Sequence, residues 1–127
     1  MDLSGWGERA DANLAASWVR FGTSSGGSVA TFDRCSFVAS GVPAAFFNGA
    51  FAAGPVADPD RVVAEATAFM ADCGVPWLLW VREGVDDDLL AAGRRAGLRD
   101  AGGPPAMVLR SIQDVPAVPD GLTIATV

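Results

Sequence analysis

Apolar residues recur every three or four positions over 8–22, at Ala10, Leu14, Trp18 and Phe21. That spacing marks one face of an amphipathic helix, with Gly22 as its expected C-cap. The TSSGGS that follows is a loop by composition. Two short runs over 29–32 and 36–40 flank Asp33-Arg34 and predict an antiparallel hairpin turning on that pair. A third strand is expected in AAFFNGAFAA, over 44–53. Asn48-Gly49 would form a bulge or tight bend there, because the flanking runs are too short for a second hairpin.

The helix pattern over 58–74 is the most regular in the chain. Asp58 suits the N-cap, Pro59 the first helical position and Gly74 the end. Val62, Val63, Ala66, Phe69, Met70 and Cys73 make its apolar stripe. The unbroken run over 77–81, Trp-Leu-Leu-Trp-Val, reads as a central strand covered on both faces. A further helix over 86–96 opens on Asp86, Asp87 and Asp88, which suit the positive end of its dipole, and stops at Gly97. A strand over 106–110, a proline-punctuated connector over 113–121 and a strand pattern in LTIATV, 122–127, complete the chain.

The predicted order is α-β-β-β-α-β-α-β-(β). A hairpin followed by alternating strands and helices implies an α/β protein with a central mixed sheet flanked by helices. The length of 127 residues supports one domain, and an apolar fraction of 50% supplies its core. No apolar run reaches the ~18 residues of a membrane span, and the first residues lack the basic-then-apolar pattern of a secretory signal. A cytoplasmic location is the expectation, with no membrane partner.

Charge narrows the possible partners. The net charge is -6, all nine positive charges are Arg, and Lys is absent. Such a chain repels a phosphate backbone, so no nucleic-acid partner is expected. Arg94, Arg95 and Arg99 form the one local concentration and read as a solvated helix face among Asp86, Asp87, Asp88 and Asp100. Cys35 and Cys73 lie in apolar patterns without metal-ligand spacing, and there is no His. Buried, reduced thiols are expected, and no metal. With neither His nor Tyr present, Ser-His and Cys-His nucleophile systems are excluded.

The element order, together with the segments ANLAASWVRF, GVPAAFFNGAF, DPDRVVAEATAFMADCGVPWLLWVRE and GLRDAGGPPAMVLR, resembles the GNAT superfamily of acyl-CoA-dependent N-acyltransferases. The likeness is to the degenerate N-terminal lobe of two-lobed bacterial GNAT proteins, and it covers about residues 11–127. It implies a GNAT-like lobe over 1–115. Residues 116–127 would then be a connector and the first strand of a second lobe, the one expected to bind acetyl-CoA. The partner would be that catalytic lobe, or a second copy joined through the C-terminal strand.

In GNAT lobes that bind acetyl-CoA, a Gln/Arg-x-x-Gly-x-Gly/Ala loop between a strand and a helix turns its amides toward the pyrophosphate. The corresponding stretch here, AFAAGPVADPDR, has one glycine, Gly54. Pro55 and Pro59 remove two donors, and Asp58 and Asp60 bring negative charge. Like charges ~5 Å apart cost about 1–3 kcal/mol at an effective dielectric of 20–80. The helix dipole returns only about 0.3–1 kcal/mol. Repulsion wins, so no cofactor is expected on this chain and no residue is assigned a catalytic role.

The Tyr that many GNAT enzymes use as an acid is missing. Glu65 belongs to an outer helix face and Glu83 to a strand end. Phe46, Phe47, Asn48, Trp80 and Glu83 are the candidates to line a groove. The competing reading puts Phe47 and Phe51 on one sheet face and Phe46 on the other, with Asn48 holding the bent backbone. Three functions follow, in falling order: a non-catalytic lobe supporting an acyltransferase, a stand-alone binding or dimerisation protein, and a single-lobe acetyltransferase.

Overall fold

The computed structural model describes residues 5–104, 117, 119–121 and 123. The predicted strand over 106–110 lies outside them, as do the connector and final strand apart from those scattered residues. Helix α1 (Trp6–Ser24) leads into strands β1 (Ser28–Phe32) and β2 (Cys35–Ala39). A short 3₁₀ turn (Ala45–Phe47) runs directly into β3 (Asn48–Ala52). Helix α2 (Pro59–Cys73), strand β4 (Leu78–Trp80) and helix α3 (Asp87–Arg95) follow. The four strands form one mixed sheet in the order β1-β2-β3-β4. The first two pairings are antiparallel, and β3 runs parallel to β4.

Local chemistry accounts for the element ends. Asp33 and Arg34 both take positive φ, 45° and 62°. A two-residue loop of that kind matches the twist of the strands it joins. Asp58 caps α2 by accepting the Arg61 amide at 3.0 Å, ahead of Pro59 at the first helical position. At the other end the Gly74 amide reaches Ala71 O and the Val75 amide reaches Met70 O, the paired bonds of a Schellman stop.

Alternation along the strands separates two faces. Cys35, Phe37, Ala39 and Ala50 point to the side covered by α2 and α3, where Val62, Val63, Ala66, Met70, Leu89 and Ala92 complete the buried core. Fully burying a side chain such as Met70 or Leu89 contributes about 1.5–3 kcal/mol. The opposite face, with Val29, Val38, Phe51 and Trp80, meets α1. Gly22 lets that helix approach closely, since a Cβ there would fall 2.5 Å from Val38 Cγ1. Gly22 is the only buried residue of α1, so this second layer is thin. The run over 77–81 predicts a central strand, but among the described residues β4 is the last strand of the sheet and is half-buried: Leu79 packs with the core, while Trp80 stacks on Phe51 at 5.7 Å.

Several local expectations are corrected. Helix α1 continues past Gly22, the expected C-cap, to Ser24 and is capped at Ser25. The strand predicted over 44–53 begins only at Asn48, because the Asn48 side-chain Nδ2 donates to the carbonyls of Val42 and Ala44 and holds the preceding residues in the 3₁₀ turn. No bulge interrupts Asn48-Gly49, since β2 and β3 pair residue for residue from Ala39↔Asn48 to Cys35↔Ala52. Glycine is needed at 49 for another reason. A Cβ there would lie 2.8 Å from both Cδ1 and Nε1 of Trp80 and 3.1 Å from Leu78 O. Finally, the 3₁₀ turn brings Phe46 to the same face as Phe47 and Phe51, because strand alternation does not extend into it.

Candidate functional site

Two places could carry function: the junction of β3 with α2, and the aromatic surface between α1 and the 3₁₀ turn. The junction holds the strand-loop-helix layout expected of a phosphate cradle, but four of its amides are already engaged by the chain itself. The Ala57 and Asp58 amides donate to Asp33 Oδ2 at 2.8 and 3.0 Å. The Ala53 amide donates to Arg34 O at 2.8 Å, and Asp58 Oδ1 holds the Arg61 amide. Pro55 and Pro59 have no amide hydrogen. The tight β1–β2 turn thus drives a carboxylate into the helix entrance, where an anionic ligand would have to displace it.

Asp60 is not a cap. It accepts from Arg95 Nε and Nη2 at 2.9–3.0 Å, tying α2 to α3. Both partners are more than half exposed, so the pair contributes between zero and about 1 kcal/mol. Arg94 is paired with Asp100 at 3.8 Å, and Arg94, Arg95 and Arg99 all face solvent. Arg61 leans over the Phe32 ring at 5.0 Å and pairs with Glu65 at 3.6 Å. Arg61 and Arg95 are thus engaged by the chain's own acids and rings. Arg34, by contrast, reaches the loop itself, its Nη1 3.5 Å from where a Cβ on Gly54 would lie, with no ion pair among the described residues.

The aromatic surface is built from four elements: α1, the 3₁₀ turn, β3 and β4. Trp18 of α1 contacts Phe21, Phe46, Phe47 and Phe51, with centroids 5.6–6.2 Å apart. Trp80 lies on the same side, 5.8 Å from Phe46. An open depression of about 230 Å³ is lined by Ser17, Trp18, Phe21 and Phe47. Phe46 is 53% exposed, and Leu14, Phe21 and Phe47 between 38% and 43%. Such rings make a contact surface without acid–base chemistry, since the Ser17 hydroxyl already donates to Asn13 O at 2.7 Å.

The chain matches no family model, no curated protein and no solved structure. The predicted site residues must therefore be judged by their surroundings.

Phe47 lines the depression and Phe46 flanks it. Trp80 lies beneath Phe46, and its Nε1 is buried without a partner among the described residues. Asn48 is fully buried and structural. Its Oδ1 accepts from the Ser40 amide and hydroxyl, and its Nδ2 donates toward Val42 O, Ala44 O and Pro76 O at 2.9–3.0 Å. Two hydrogens shared among three carbonyls leave it nothing to offer a ligand. Glu83 is exposed in the turn after β4 and is not among the residues lining the depression, and Asn48 is buried, so no common site of the five candidates is seen.

Trp18 and Phe21 are the groove residues that sequence reasoning assigned to the helix face alone. Their three-residue spacing placed them on one stripe, but nothing local showed that the stripe stays half exposed.

A third cluster joins α1 to the β4–α3 turn. Asp86, 8% exposed, accepts from the backbone amide, Nε and Nη2 of Arg82 at 2.8–2.9 Å. Arg82 Nη1 also approaches Asp11 at 3.7 Å. The hydrogen bonds to Asp86 push the Arg82 pKa further up, against the opposing effect of burial. This is a fastened ion pair with no free proton carrier. Cys35 is just as inert: burial first, then Asp33 and Asp86, raise its pKa to about 11, and Arg82 only partly offsets them. Both thiols are free, Cys35 buried and Cys73 half-buried. Among the described residues no acidic or thiol cluster could hold a metal ion, and no helix is long and apolar enough to cross a membrane.

Proposed function

We propose that this chain is a GNAT-like lobe without acyl-transfer chemistry of its own, whose role is to support a catalytic acyltransferase lobe. The order α-β-β-β-α-β-α, with a mixed sheet between α1 on one face and α2 and α3 on the other, agrees with that reading. The observation that carries it is the Asp33 carboxylate bound to the Ala57 and Asp58 amides. Acetyl-CoA does not fit this junction. Its pyrophosphate would meet Asp33 and Asp58 and find two prolines where donors are needed, so the cofactor is assigned to a companion lobe. Calorimetric titration with acetyl-CoA is expected to give no binding heat up to millimolar ligand. Micromolar binding would overturn the proposal and favour a single-lobe acetyltransferase.

A second reading, a stand-alone binding or self-associating module, draws on the half-exposed rings of Phe21, Phe46 and Phe47. Apolar surface gathered in one patch marks contact sites more often than isolated exposed residues do. Light scattering separates the two readings. Self-association abolished by Phe46→Ser with Phe47→Ser would favour the module, and a monomer at all working concentrations would count against a homodimer.

A further inference from the structure

We draw no further inference here: the strongest candidate, the aromatic patch of Leu14, Phe21, Phe46 and Phe47 between α1 and the 3₁₀ turn, carries none because nothing in the structure shows what covers it.

Discussion

The Asp33 carboxylate accepts the amides of Ala57 and Asp58 across 24 and 25 residues of chain. One side chain thereby fixes the β3–α2 loop and fills the helix entrance with negative charge. Two costs are combined at this position, because Asp33 also sits at φ 45°, which Asp and Asn tolerate better than Ala.

Substitutions at Asp33 separate those costs. Asp33→Gly keeps the backbone freedom and loses the carboxylate, so it should lower stability by about 1–2 kcal/mol through the loop alone. Asp33→Ala adds the left-handed strain and should cost about 1 kcal/mol more. Asp33→Asn, which keeps an acceptor oxygen, should be the mildest. Urea unfolding midpoints of the three variants test this order, and Ala equal to Gly would remove the strain argument.

Asn48 offers a sharper test of structure against function. Asn48→Ala leaves the Ser40 amide and three carbonyls competing for partners in a buried place. The expected loss is about 3 kcal/mol or more, at the upper end for a hydrogen-bonding group. Asn48→Asp keeps the shape and the acceptor for Ser40, but turns a negative oxygen toward Val42, Ala44 and Pro76 carbonyls. It should be at least as damaging at neutral pH. Thermal unfolding of both variants checks this, and a wild-type midpoint for either would show that the network is dispensable.

These cases show what could be read from the chain in advance. The ends of α2 were legible because Asp58, Pro59 and Gly74 act on amides within one turn of themselves. The hairpin at Asp33-Arg34 was placed correctly for the same reason, but the second use of Asp33 was not visible. Its partners lie a whole strand pair away. Gly49 was misread as a bulge because a bulge and a close approach both require a missing side chain. The unbroken β2–β3 register and the position of the Trp80 ring distinguish them. The competing reading that put Phe46 on the opposite face from Phe47 fails because the alternation rule was extended past the first residue of β3. The expectation of a repulsive β3–α2 junction rested on Asp58, Asp60 and the prolines; in the fold Asp60 is turned to Arg95, and Asp33 is the carboxylate that binds the loop amides.

Gly49 and Trp80 should therefore be energetically coupled. Gly49→Ala places a methyl 2.8 Å from the indole, and the ring must shift or the strands part. Overpacking of this kind costs about 1–3 kcal/mol. In a Trp80→Leu background the same change should cost much less, giving a coupling of about 1 kcal/mol or more. A double-mutant cycle by denaturant unfolding measures it. Additive effects would mean that Gly49 is tolerated there for some reason other than the ring.

Cys35 links burial to pH. Its thiol has an ordinary value of 9.0 and is pushed up to about 11 in the fold, chiefly by burial. Below about pH 9 the thiol is neutral in folded and unfolded chains alike, so its burial stabilises fully. Between 9 and 11 only the unfolded chain loses the proton, and stability falls with a slope approaching 1.36 kcal/mol per pH unit. The loss should reach roughly 2–3 kcal/mol by pH 11. Cys35→Ala should remove that part of the slope while costing some packing at every pH. Urea unfolding of wild type and variant between pH 8 and 11 reads the difference directly, and parallel curves would show that Cys35 titrates normally in the fold. Native protein treated with a thiol reagent at pH 8 should correspondingly keep Cys35 unmodified until denaturant is added.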